Sequence, residues 1–81
     1  MKVNVVVFAR VRELIGADRI ELALSDEATV ATLKQELMTR YPKLESVLPH
    51  CSVAIDHEYS KDEALLTEGC EVGLIPPVSG G

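Results

Sequence analysis

The sequence has only two cysteines and few basic side chains, with 8 Lys and Arg against 13 Asp and Glu. Two cysteines provide no disulfide framework, so we expect a cytoplasmic protein whose thiols stay reduced. The net charge of −5 argues against nucleic acid as a partner, because phosphate backbones attract clustered Lys and Arg. No apolar run approaches the roughly eighteen residues of a membrane span, and the opening segment lacks the features of a signal peptide, so we expect no membrane association.

The 81 residues contain enough apolar material for one folded domain. Hydrophobic residues make up 47% of the chain, which is too many for a disordered protein, and the length allows a single core. We predict that this domain spans residues 1–75. The last ten residues, VGLIPPVSGG, contain no ionisable side chain, so we predict a separate extended tail over residues 76–81.

The apolar pattern predicts a sheet. Alternating apolar residues indicate strands at residues 19–24, 51–55 and 70–75, with a short edge strand at Glu58–Tyr59 after a turn at Asp56–His57. Residues 2–8 are apolar on both faces toward their end, which is typical of a central strand.

Helical spacing predicts two helices. A short one covers residues 9–15 and ends at Gly16, and a long one runs from Thr29, the expected N-cap, to Arg40. Pro42 blocks its continuation, and residues 44–49 have room for one more helical turn. The order of elements favours an α+β fold in which a mixed sheet of four to five strands carries one long helix across one face.

The predicted core consists of the apolar residues that share the helix-facing side. These are Val3, Val5, Val7, Ile20, Leu22, Val30, Leu33, Leu37, Val53, Ile55, Val72 and Leu74.

The unusual feature is the ending, Pro76-Pro77-Val78-Ser79-Gly80-Gly81. The two prolines cannot continue a sheet ladder and favour an extended arm, which reaches at most roughly 20 Å over six residues. Gly80 and Gly81 lack side chains, so they fit a channel too narrow for other residues. A ragged chain end is also often rich in Gly and Ser, but it normally contains charged residues as well. We therefore interpret the ending as an arm that presents the carboxylate of Gly81.

A second candidate feature is an exposed apolar patch on the sheet. If the odd-numbered residues of the first strand face the helix, Phe8 and Val6 emerge on the opposite face, Ile75 points the same way, and Tyr59 borders them. Exposed aromatic and aliphatic side chains in one place are typical of a protein-binding surface. Phe8 packed under a loop is the alternative interpretation.

The order of elements resembles that of ubiquitin-like β-grasp proteins, and the details resemble the small, sulfur-carrier subunits of molybdopterin synthase. The resemblance covers essentially the whole chain. It rests on Phe8-Ala9, Arg12-Glu13, Gly16, Thr29-Val30, Leu33, Leu66-Thr67, Gly69, Glu71-Val72 and, most specifically, the final hexapeptide. Two residues depart from the family pattern: Cys70 stands where an acidic turn residue is usual, and Asp56 stands where Asn or Gly is frequent. Both put the local turn geometry in doubt.

The resemblance implies a chemistry for the tail. Family proteins carry sulfur as a thiocarboxylate at the final glycine, so Gly81, preceded by Gly80, would be adenylated with ATP and then loaded by a persulfide donor. The loaded tail would deliver sulfur to cyclic pyranopterin monophosphate in the large synthase subunit. Phe8, Tyr59 and Ile75 would bind the partner, together with the tail residues Pro76, Pro77, Val78 and Ser79.

The resemblance also implies the partners. They would be the large synthase subunit, in an assembly of two small and two large subunits, a ubiquitin-activating-like adenylyltransferase, and the sulfur donor. No nucleophile–base set is evident in the chain, so the catalytic side chains would belong to the large subunit and no cofactor would be bound permanently. Sulfur carriage for thiamine or tRNA thiolation, modification of protein lysines, and a binding-only domain remain alternatives.

The cysteines and histidines do not indicate a metal site or a disulfide. His50, Cys51, His57 and Cys70 match no zinc-ligand spacing. In the expected topology Cys51 and Cys70 lie at opposite ends of two antiparallel strands, beyond bridging distance. We therefore predict buried or half-buried free thiols.

Overall fold

The computed structural model describes residues 1–77. Its strands are β1 (Lys2–Val7), β2 (Arg19–Ala23), β3 (Ser52–Ile55), β4 (Glu58–Ser60) and β5 (Glu71–Ile75). Its α-helices are α1 (Ala9–Ile15) and α2 (Val30–Arg40). Two 3-10 turns, Pro42–Ser46 and Leu48–His50, take the place of the single helical turn expected at residues 44–49.

The strands form one mixed sheet in the order β2-β1-β5-β3-β4. The central pair, β1 and β5, is parallel, and the other three pairs are antiparallel. Parallel neighbouring strands need a long connection, and the chain between β1 and β5, which includes α2, provides it. The predicted α+β fold with a mixed sheet is therefore confirmed.

The helix signals in the sequence have clear structural counterparts. The Thr29 hydroxyl accepts a hydrogen bond from the backbone N–H of Thr32 at 3.3 Å, as expected of an N-cap. Gly16 ends α1 with a φ of 83°, in the left-handed region that favours glycine. Among residues 1–77, neither helix has the length and apolar character that crossing a membrane requires.

The core lies between α2 and one face of the sheet, which we call the inner face. Ten of the twelve predicted core residues are buried, while Ile20 and Ile55 are only partly buried and pack at its edge. Five further buried residues were not predicted, and they lie in α1, the 3-10 turns and the loops: Val11, Ala28, Leu44, Leu48 and Leu66. Their segments are too short or irregular to show a hydrophobic period. Cys51 and Cys70, predicted to be buried or half-buried, are buried as well.

Candidate functional site

The face of the sheet that points away from α2, the outer face, contains a small apolar pocket. Its walls are formed by Val6, Phe8, Ala54 and Ile75. Gly73 forms the floor, and Glu71 and His57 lie at one end. The volume of this outer-face pocket is about 120 Å³.

Strand pairing explains why these residues meet. Val6 of β1 and Ala54 of β3 are both register partners of Gly73 on β5. Partners in register project to the same side of a sheet, so three distant segments of the chain build one surface. Ile75 is two residues further along β5 and therefore lies on the same face.

Phe8 is held in place by the β1–α1 junction. Its backbone carbonyl accepts hydrogen bonds from the N–H groups of Val11 and Arg12, at 3.1 and 3.3 Å. A Cβ atom added to Gly73 would lie 3.9 Å from Cε2 of the Phe8 ring, so the ring covers the strand where it has no side chain. Phe8 nevertheless remains 47% exposed, which leaves about half of it available for contact with another molecule.

The charged end of the pocket is formed by Glu71 and His57, and Arg19 of β2 contacts Glu71 from outside the pocket lining. Nη2 of Arg19 lies 3.3 Å from Oε1 of Glu71, and Nε2 of His57 lies 3.8 Å from Oε2 of the same carboxylate. Arg19 and His57 are largely exposed, whereas Glu71 is 38% exposed. Both contacts are therefore long and well solvated, and they contribute little to folding stability.

The turn before β4 supports this end of the pocket. Asp56 and His57 have φ values of 48° and 74°, which fits a tight two-residue hairpin turn. The Asp56 carboxylate accepts a hydrogen bond from the backbone N–H of Glu71 at 2.9 Å, and the Asp56 N–H donates to the Glu71 carbonyl at 2.8 Å. Asp56, which departs from the family pattern, thus anchors the turn to β5.

The structure describes the three sheet residues predicted to bind the partner. Phe8 and Ile75 line the outer-face pocket, and Tyr59, 75% exposed, lies beside it on β4 as the register partner of Ala54. Pro76 is half-buried and Pro77 is exposed. Val78, Ser79, Gly80 and Gly81 lie outside the described residues, so their predicted roles stay predictions.

Sequence reasoning missed the residues at the bottom and end of the pocket. Gly73 was detectable, because a glycine within a strand pattern often marks a close approach of other groups. Glu71 shares a strand face with Ile75 by simple alternation, but its neighbours Arg19 and His57 become adjacent only through strand order.

The two cysteines are free and buried. Ser52, which follows Cys51, pairs with Ile75, while Cys70 precedes the other end of β5, so the two thiols lie at opposite ends of the antiparallel pair. Burial raises the pKa of the Cys51 thiol, and the nearby Lys34 ammonium offsets part of that increase. Among residues 1–77 we find no cluster of three or more metal-ligating side chains.

The sequence matches the ThiS family over residues 5–81. The chain belongs to this family. The chain is also similar to the molybdopterin synthase sulfur carrier subunit of Arabidopsis thaliana, with 35% identity over 81 residues, which are 100% of this chain and 84% of the relative.

Solved structures give the same assignment of the fold. A putative molybdopterin converting factor subunit 1 from Pyrococcus furiosus is 31% identical, with a TM-score of 0.89 over 96% of this chain and 99% of that one. The small archaeal modifier protein 1 of Haloferax volcanii is 26% identical, with a TM-score of 0.87 over 95% and 98%. This ThiS-family chain therefore has the ubiquitin-like β-grasp fold.

Proposed function

We propose that this ThiS-family protein is the sulfur carrier subunit of a molybdopterin synthase and that the carboxyl group of Gly81 carries the sulfur. The observation that carries the proposal is where β5 ends. Ile75 lies in the outer-face pocket beside Phe8, and the sequence continues from it into Pro76-Pro77 and the glycine pair. A partner docked on the outer face is thus within the roughly 20 Å reach of the tail.

The chemistry follows from the poor reactivity of a carboxylate. The Gly81 carboxylate attacks the α-phosphate of ATP on an activating enzyme, which releases pyrophosphate and forms an acyl adenylate. A persulfide then displaces AMP, and a thiol of the donor cleaves the acyl disulfide, leaving a thiocarboxylate. Docking converts this sulfur into a tethered nucleophile, which gains from effective concentration over free sulfide.

The proposal assigns the remaining chemistry to partners. The large synthase subunit, in an assembly of two small and two large subunits, binds cyclic pyranopterin monophosphate and supplies the acid–base side chains. A ubiquitin-activating-like adenylyltransferase supplies the ATP-dependent step, and a persulfide protein supplies sulfur, all in the cytoplasm. Phe8, Ile75 and Tyr59 contact the large subunit, while Pro76–Gly81 enters its active site.

The test combines mass analysis with reconstitution. We expect the protein purified from its own cells to end at Gly81 and to show a fraction heavier by the difference between sulfur and oxygen. Deletion of Gly81, or addition of one residue after it, should abolish molybdopterin formation with the large subunit. Glu63→Gln, on an exposed loop, is the control. Unchanged molybdopterin formation by the Gly81 variants would contradict the proposal.

A second candidate function is modification of protein lysines through Gly81. The fold similarity to the Haloferax volcanii modifier protein favours it. This function predicts isopeptide-linked conjugates that carry the Gly80-Gly81 remnant on lysines after proteolysis. Their absence from cells that contain the thiocarboxylate form would leave sulfur transfer as the function.

A further inference from the structure

The size of the outer-face pocket limits what it can hold. Its volume is about 120 Å³. Cofactor and metabolite pockets usually measure ~300–1,000 Å³. The pocket is therefore too small for such a ligand and suits one long side chain of another protein.

The lining of the pocket indicates which kind of side chain it can receive. Aliphatic walls at Val6, Ala54 and Ile75 match a hydrocarbon stem, and the Phe8 ring offers an aromatic surface. The carboxylate of Glu71 closes one end. A side chain with an aliphatic stem and a cationic end matches the aliphatic walls, the aromatic ring and the carboxylate. Among such side chains, the guanidinium of arginine stacks on an aromatic ring and pairs with a carboxylate through two hydrogen bonds.

The present partners of Glu71 leave it open to such a cation. Arg19 and His57 lie 3.3 and 3.8 Å from the carboxylate oxygens, and both are well exposed. A protein docked on this face would remove water from Glu71, and a carboxylate that loses its water needs a close cation to compensate. Two other charged groups nearby do not supply this cation. The Asp56 carboxylate is an anion that accepts a hydrogen bond from the backbone N–H of Glu71, and the Lys2 ammonium pairs with Glu21 at 3.7 Å.

We propose that the outer-face pocket receives an arginine side chain from the docked partner, with the stem between Phe8 and Ile75 and the guanidinium at Glu71. This inference rests on the proposed function, because it assumes that the large subunit docks on the outer face. Within that complex Glu71 is a specificity residue: a partner without a cation at this position would leave the desolvated carboxylate with only its contacts to Arg19 and His57, at 3.3 and 3.8 Å.

The first test measures the affinity of the separately purified large subunit for variants of this chain. Glu71→Gln keeps the shape and removes the charge, and it should weaken binding at least about tenfold. Gly73→Ala adds a methyl group to the pocket floor at ordinary contact distances of 3.9 Å, so it should weaken binding about tenfold without lowering thermal stability. Glu63→Gln, which changes the net charge equally on the loop beside α2, should stay within about twofold of wild type.

Arg19→Ala separates the two ways in which Glu71 can act. If a partner arginine takes the Glu71 carboxylate, loss of Arg19 should leave the affinity unchanged or increase it. Equal weakening by Arg19→Ala and Glu71→Gln would mean that Arg19 itself contacts the partner, which overturns the proposal. Weakening by Gly73→Ala but not by Glu71→Gln would mean that an apolar side chain fills the pocket, which also overturns it.

A second test does not depend on the large subunit. Titration of the isotope-labelled protein with N-acetyl-arginine amide should give saturable amide shifts at Val6, Gly73 and Ile75, and the neutral analogue N-acetyl-citrulline amide should give none. Glu71→Gln should remove the arginine effect. No saturable shift, or equal shifts with citrulline, would refute the pocket assignment. A wild-type protein that shows the arginine shifts but does not bind the large subunit would instead refute the proposed function.

Discussion

Replacement of Phe8 by alanine should separate the stability of the fold from its capacity to dock. Just over half of this residue is buried in the free protein, against the backbone at Gly73. Full burial of a phenylalanine contributes about 1.5–3 kcal/mol, so Phe8→Ala should lower the free energy of unfolding by only about 1–1.5 kcal/mol. The domain should therefore remain folded.

The exposed half of Phe8 should matter when the partner covers it. Burial of the remaining surface contributes about 0.7–1.4 kcal/mol, which corresponds to about 3- to 10-fold in the dissociation constant. The assay is calorimetric titration of the large subunit, with urea unfolding of each variant alongside. Leu65→Ala is the matched control, because Leu65 is 65% exposed but pairs with Thr29 at the start of α2, away from the outer face.

Three outcomes would refute this reasoning. An unchanged dissociation constant for Phe8→Ala would mean that the outer face is not the docking surface. Equal weakening by Leu65→Ala would mean that binding responds to exposed apolar area in general. A Phe8→Ala protein that fails to fold would show that the ring contributes more to the core than its exposure indicates.

The remaining predictions concern the turn at Asp56–His57 and the Cys51 thiol. His57→Gly should stabilise the fold by about 0.5–1 kcal/mol in urea unfolding, because His57 has a φ of 74° that glycine adopts without strain. The control is His50→Gly, which should not stabilise the fold because His50 has no positive φ. Destabilisation by His57→Gly would contradict the turn assignment. Burial raises the pKa of Cys51, so the folded state keeps the thiol neutral at a pH where the unfolded chain ionises it. The contribution of the buried thiol to the free energy of unfolding is therefore complete below about pH 8.5 and declines as the pH rises above that value. The stability gap between wild type and Cys51→Ala should therefore narrow from about pH 7 to about pH 10, and a constant gap would show that Cys51 is not desolvated.

Local sequence patterns predicted the strands and helices, because the formation of a strand or a helix depends on residues close together in the chain. The alternation in RIELAL indicated β2, and Thr29 and Gly16 marked the ends of helices through their own hydrogen bonding and backbone freedom. The irregular segments were harder to predict. Leu44 and Leu48 are fully buried in 3-10 turns of five and three residues, which are too short to establish a period.

The candidate site also has a part that consecutive residues predict and a part that depends on the order of the strands in the sheet. The sequence predicts the tail, since the chemistry of Pro76-Pro77 and Gly80-Gly81 belongs to consecutive residues, and its role stays a prediction because residues 78–81 lie outside those that the structure describes. The outer-face pocket could be anticipated only in part. Alternation places Val6 and Phe8 on one side of β1, but it does not reveal that β5 and β3 are the next strands in the sheet.

By itself, the sequence determined the strands and the helices, and it predicts the single domain and the glycine-ended arm, because each of these follows from composition or from residues close together in the chain. Only the tertiary structure decided that Gly73 leaves room beneath Phe8 and that Glu71 stands between Arg19 and His57. The physical reason is strand order. The parallel pairing of β1 with β5 joins residues more than sixty positions apart, and no local pattern encodes the partner of a strand.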